Sequence, residues 1–314
     1  MDIIIQIFPY AIAYTIPLLI TALGGLFSER SGVVNIGLEG LMIIGSFASA
    51  FTIRVLESSM GGSAIWIGLV AAMIAGAAFS MLHAFASVSL NANQIISGTA
   101  INMIAAAVTV FFARNMLGSG NIQIINNLSR FDIPVLSRIP LIGPLFFTNS
   151  YATTWLVLAI LAGAYYVLYY TPPGLRLRAC GDHPHAADAA GINVRLTRYL
   201  GVGFSGAFAG LGGGIMIVTY SGQFTGTVAG LGFLSLASLI FGQWKPLGIL
   251  GSTFFFGFAT TMANVSQVIP ELAVFPLVLL KSFPYFATLV ALVIFSKSSQ
   301  APKAIGEPFQ QDKR

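Results

Sequence analysis

Long apolar runs recur along the chain, separated by short polar breaks, and most approach the ~20 residues that a helix needs to cross a hydrocarbon core. On that pattern spans are expected at 7–27, 33–53, 64–83, 94–113, 152–170, 198–220, 228–243, 246–264 and 272–295. The expected fold class is all-α, a polytopic membrane protein with about nine (eight to ten) transmembrane helices, some of them broken. The stretch 228–243 is short and glycine-rich, which points to a broken or re-entrant element. Residues 114–151 are rich in Asn, Pro and Gly and read as a long external loop with short interfacial pieces. The division expected is a transmembrane domain over 1–297, interrupted by a polar segment at 171–197, and a disordered tail over 298–314.

Composition agrees with this pattern. Of 314 residues, 56% are hydrophobic and 8% charged, against about 25% charged in a soluble domain. The 34 glycines suit close helix–helix packing in a bilayer. A single cysteine, Cys180, excludes an internal disulfide and a cysteine-based metal cage. No Lys or Arg precedes Arg30, so the first span is expected to be a retained anchor and not a cleaved leader. The net charge of +5 fits basic loops held on the cytoplasmic side better than nucleic-acid binding.

Placing 171–197 in the cytoplasm and alternating outward puts Arg30, Arg176, Arg178, Arg195, Arg198, Lys245, Lys297, Lys303, Lys313 and Arg314 inside. Arg54, Arg114, Arg130 and Arg138 then fall outside. Basic residues favour the cytoplasmic side, so the expected orientation has the N-terminus outside and the tail in the cytoplasm of a bacterial plasma (inner) membrane.

The chemistry-bearing motifs are few. GVGFSG at 201–206 fits G-x-G-x-x-G, but it opens a membrane span and follows no strand, so a dinucleotide role is disfavoured. Gly206, Gly210 and Gly214 instead share one helical face and invite close backbone approach, and Gly222, Gly226 and Gly230 repeat the spacing. No phosphate-binding G-x-x-x-x-G-K-[ST], H-E-x-x-H or G-x-S-x-G is present, and no convergent catalytic constellation forms. The chain is read as a non-enzyme. His183 and His185 alone make a poor metal site, so no metal is assigned.

Within the spans the polar positions are Asn35, Glu39, Gln94, Asn102, Thr260, Asn264 and Lys281. Asn35 and Glu39 share a helical face, as do Thr260 and Asn264. Two roles are open to them. Together they could line a path for a hydrophilic solute; singly, each could tie helices together by hydrogen bonds. Glu39 could also pair with Lys281 or sit at a helix terminus.

The polar segment GLRLRACGDHPHAADAAGINVRLTRYL (174–200) has structure of its own. Asp182 is a natural N-cap, Pro184 fits a first turn, and Gly191 is a typical stop, which predicts a short helix over about 183–190. Arginines flank it on both sides. An ordinary basic loop would explain the charges; the alanine-rich helix offers in addition a small knob for a groove on another protein.

This segment and the span after it resemble the cytoplasmic coupling region of ABC importer permeases of the branched-chain amino acid/ribose/nucleoside group. GLFSERSGVVNIGLEGLMIIGSF (25–47), NANQIISGTAINMIA (91–105) and LGFLSLASLIFGQWKPLGILGSTFFFG (231–257) resemble the simple-sugar and nucleoside subset. The likeness is collinear over nearly the whole chain. It implies a type II ABC-importer permease fold and a channel-forming subunit for nucleosides, with ribose- or galactose-type sugars as the alternative substrate. The resemblance also implies a cytoplasmic ABC ATPase, a second permease, similar or identical, and an extracytoplasmic substrate-binding protein. No cofactor is implied for this chain, because ATP is bound by the partner subunit. Gly181, Asp182, Pro184, Ala186, Ala187, Ala190 and Gly191 would form the ATPase-coupling knob. A self-sufficient ion-coupled transporter is the weaker alternative, with Glu39 and Lys281 a thin set of coupling groups.

Overall fold

The computed structural model describes residues 2–140, 142–265 and 300–310, with isolated positions from 278 to 293. Apart from one pair of two-residue strands and one isolated bridge, the described residues form helices, turns and loops. Among the described residues six helical stretches are long and apolar enough to cross a membrane, and one of them, Leu38–Ser89, folds back on itself at Gly61–Ser63. Each of the first eight expected spans meets a helix. They are α1 (Asp2–Arg30), α2 (Leu38–Met60), α3 (Ala64–Ala84), α4 (Gln94–Leu117), α5 (Ala152–Tyr170), α8 (Val194–Met216), α9 (Leu231–Phe241) and α10 (Pro246–Val265). The ninth span lies largely outside the described residues, as does Lys281. The segment between α5 and α8 forms two short helices, α6 (Pro172–Asp182) and α7 (Pro184–Ala189).

Helix α8 is the hub of the bundle, with α1, α2 and α3 packed around it. Its small residues make this possible. A Cβ on Gly210 would strike the carbonyl of Ala72 on α3, and one on Gly206 would strike that of Gly76. Gly213 sits against the Met42 carbonyl of α2, and Gly212 against Thr21 and the Pro17 carbonyl of α1. Backbones in such contact gain dispersion energy that larger side chains would forbid. The outward faces of α3 and α4, by contrast, expose Ile74, Ile96, Met103 and Phe111, apolar side chains suited to lipid.

The second glycine series behaves differently. Gly222, Gly226 and Gly230 take φ of +68°, +80° and +82°, so they are left-handed turn positions and not one helical face. They shape the non-helical stretch between α8 and α9, where β2 (Gln223–Phe224) pairs antiparallel with β1 (Ile122–Gln123). The chain then descends through α9, which at 11 residues spans about half a bilayer. This is the broken element that the short glycine-rich run announced.

Residues 33–37, expected as the start of a helix, are instead non-helical like 31–32 before them, and α2 begins only at Leu38. Hydropathy could not tell these alternatives apart, because the segment is held out of the helix by hydrogen bonds from distant residues.

The two ends of the bundle differ in charge. Arg54, Arg114, Arg130 and Arg138 belong to the end built by the 118–151 loop. There Arg54 pairs with Glu57 at 2.7 Å and the other Glu57 oxygen accepts from the Ile125 amide. Arg30, Arg176, Arg178, Arg195, Arg198, Lys245 and Lys303 gather at the opposite end, around α6 and α7.

Within the tail expected to be disordered, residues 300–310 lie against this second end, with Ala304 and Phe309 buried. The Ala304 amide donates to the Gly181 carbonyl at 2.9 Å and the Gly306 amide to that of Gly32 at 3.1 Å. Composition marked the segment as polar, but its backbone finds acceptors that only the assembled fold supplies.

Candidate functional site

The candidate path residues separate into two groups. Asn35, Gln94 and Asn102 secure the 31–37 segment. The Val34 amide donates to Gln94 Oε1 at 2.7 Å, and Asn102 gives its Nδ2 to the Ile36 carbonyl while its Oδ1 accepts from the Gly40 amide. Asn35 Nδ2 donates to Ser205 Oγ at 2.8 Å. The buried His83, not singled out from the sequence, joins them with one ring nitrogen 3.0 Å from the Val34 carbonyl and the other 3.0 Å from Ser97 Oγ. Their placement matches the hydrogen-bonding role, because non-helical backbone at membrane depth needs partners from the protein itself.

Glu39 does a related job for α9. Its two carboxylate oxygens accept from the amides of Gly230 at 2.9 Å and Gly232 at 2.8 Å. These are amides at the start of a helix that has no side-chain cap of its own. A carboxylate at that position satisfies orphan donors and meets the positive end of the helix dipole. Gly232 leaves room for it, since a Cβ there would collide with the Glu39 backbone.

Thr260 and Asn264 belong to the second group. With Tyr14, Tyr220, Thr225, Thr227 and the turn at Gly230 they line a cavity of about 470 Å³, within the range of small-molecule sites. It lies between α1, the C-terminal end of α8 and the turns after it, the start of α9 and the end of α10. The Tyr14 and Tyr220 rings are tilted against each other with centroids 4.3 Å apart. The Tyr220 hydroxyl is buried without a hydrogen-bond partner. No charged side chain stands among the described lining residues. The tyrosines and the two threonines were missed because an aromatic in an apolar run looks like core, and Thr225 and Thr227 lie in a stretch whose path sequence cannot trace.

A short helix forms near its expected place in the 174–200 segment, with corrections. Helix α7 begins at Pro184 and Gly191 follows its end with φ +81°. Asp182 is the last residue of α6 and not the cap of α7; that place is taken by His183, which makes no side-chain capping bond. Asp182 Oδ1 instead faces the Lys303 amide. Gly181, Pro184 and Ala187 are buried inside the fold, whereas Ala186, Ala190 and Gly191 are exposed, as are His183 and His185. A partner would therefore meet the second set.

Helices long and apolar enough to cross a membrane, a cavity between them and a half-length helix mark a multi-pass membrane protein. The chain belongs to the branched-chain amino acid transport system/permease component family, whose profile matches residues 7–295. It is 45% identical over 310 residues to the guanosine ABC transporter permease protein NupQ of Bacillus subtilis, covering 98% of this chain and 97% of that one. It is 41% identical to the nucleoside ABC transporter permease protein NupC of Lactococcus lactis, over 96% and 95% of the two chains. The putative glucose ABC transporter permease protein TsgC13 of Haloferax volcanii is 33% identical over 80% of this chain and 74% of its own. The protein is thus an ABC-transporter permease, a multi-pass membrane component and not an enzyme, and such a component works with ATPase and substrate-binding partners.

Proposed function

We propose that this chain is the permease subunit of an ATP-driven importer for nucleosides, and that solute passes through the cavity between Tyr14, Tyr220, Thr260 and Asn264. The observation that carries the reading is the chemistry of that lining. Two tyrosine faces suit a planar base, for which aromatic stacking contributes about 1–3 kcal/mol. Hydroxyls of Thr225, Thr227 and Thr260 and the Asn264 amide suit a sugar, and the unpartnered Tyr220 hydroxyl offers one more donor. The uncharged character of the described lining residues suits a neutral nucleoside over a nucleotide or an amino acid. The guanosine and nucleoside permeases of Bacillus and Lactococcus that this chain resembles support the same substrate class.

In this reading the end carrying α6 and α7 faces the cytoplasm, in line with its basic residues. The exposed face of α7 seats in an ATPase, and ATPase closure pushes the knob. The push tilts α8 and α10 around the cavity and opens it alternately to the two sides. A second permease, similar or identical, and an external binding protein complete the importer.

The test is uptake of labelled guanosine by proteoliposomes holding the whole complex and its binding protein. Uptake is expected to need ATP, and Asn264→Ala is expected to lower it about tenfold, equivalent to about 1.4 kcal/mol, with assembly intact. Uptake driven by an ion gradient without the ATPase would overturn the reading. Competition by glucose but not guanosine would transfer the assignment to sugars.

A further inference from the structure

The 300–310 segment does more than rest on the surface. It touches, in turn, five of the elements that meet at the knob end. The Gln300 amide donates to Gln243 Oε1 in the α9–α10 turn at 3.1 Å. The Ala304 amide then bonds Gly181 of α6, and that of Gly306 bonds Gly32 in the segment between α1 and α2. The Glu307 carbonyl accepts from Arg198 Nη1 at 2.9 Å. Finally Phe309 is buried against Cys180, Ala187 and Val194, with its ring centroid 5.2 Å from that of His185 on α7.

Arg198 explains why this path is specific. Its side chain is 1% exposed, and its Nε and Nη2 have no partner. A buried guanidinium is costly unless its donors are met. The Glu307 carbonyl meets one of them, so the segment covers a charge that would otherwise face water or nothing. Gly32 lies directly over the guanidinium, where a Cβ would come within 2.8 Å of Nη2. The segment thereby joins α7, on which a partner is expected to push, to the 31–37 segment and the α9–α10 turn, both of which lead toward the cavity.

We infer that residues 300–310 form a transmission strap, with Arg198 and Phe309 as positioning residues that make movement of α7 move the 31–37 segment and the α9–α10 turn as one body. This inference rests on the reading of α7 as the ATPase contact. With the strap removed, the ATPase should still bind α7, but its stroke should be lost in local movement of α6 and α7.

Cys180, the chain's single cysteine, reports the state of the strap. It is buried beneath Phe309, and burial pushes its thiol up from the ordinary range. The experiment compares the intact complex with Phe309→Ala and with a chain stopped after Ser299. Maleimide labelling of Cys180, ATP hydrolysis and guanosine uptake are followed together. Both variants are expected to label about tenfold faster, since local opening exposes the thiol. They should co-purify with the ATPase and consume about fivefold more ATP per guanosine imported, the lower range of a mechanical coupling energy. Faster labelling with a wild-type ratio of ATP to guanosine overturns the inference, because the strap is then off without consequence. So does unchanged labelling, or loss of the ATPase from the complex. If the unmodified complex shows no ATP-driven guanosine uptake, the proposed function fails instead, and that outcome is separate because labelling still reports the strap.

Discussion

Glu39 illustrates how one side chain can look like a path residue and serve as a cap. Its carboxylate replaces the capping group that α9 lacks, and the Gly232 amide it accepts from is buried. Leaving that donor unmet costs about 1–3 kcal/mol. Glu39→Ala is therefore expected to lower the thermal midpoint of the purified chain in detergent before any effect on solute affinity is measurable; an unchanged midpoint would remove the capping role. Asn35→Leu should behave alike, since it strands Ser205 and the turn at Gly37. Tyr220→Phe is the contrasting case. Its hydroxyl has no partner to lose, so stability should stay within about 0.5 kcal/mol while guanosine uptake falls. A fall in stability with normal uptake would return Tyr220 to the core.

At the scale of elements, two contacts lend themselves to tests. Where α8 crosses α2 and α3, Gly210 touches the Ala72 carbonyl and Gly45 touches Gly210 in turn. Gly210→Leu is expected to cost at least about 1–3 kcal/mol, the usual range for overpacking, read as loss of monodisperse protein after extraction. Full retention would mean that the helices can part without harm. Helix α7 offers a matched pair. Ala190 is exposed and Ala187 is 4% exposed. Ala190→Trp should leave the fold intact and reduce ATPase co-purification, whereas Ala187→Arg should disturb the packing around Cys180, Val194 and Phe309 itself. Equal ATPase binding by Ala190→Trp and the unmodified chain would place the contact elsewhere.

For the whole molecule the open question of sidedness has a direct measurement. In a Cys180→Ala background, Asn121→Cys and Arg195→Cys place exposed thiols at opposite ends of the bundle. An impermeant maleimide added to intact cells is expected to label the first and spare the second until the membrane is opened. The reverse pattern would invert the orientation and with it the assignment of α7 to the cytoplasm.

The apolar runs, the short glycine-rich element, the Gly206–Gly210–Gly214 face and the short helix α7 were all legible in the chain. Each depends on spacing or local backbone preference, which a sequence carries directly. The roles of Asn35, Glu39, Gln94 and Asn102 were not, because a polar side chain in a span is equally able to face solute or backbone. Only the fold brings Val34 to Gln94 and Gly232 to Glu39, across separations of 60 and 193 residues. The same holds for the cavity, whose lining comes from helices far apart in sequence, and for the 300–310 strap, whose hydrogen-bond acceptors lie on three different elements. The sequence by itself determined a bundle of apolar helices, where they break and which face packs closely. Tertiary structure alone decided which polar groups are spent on holding backbone and which remain free for solute, since hydrogen-bond partners are assigned by distance in space.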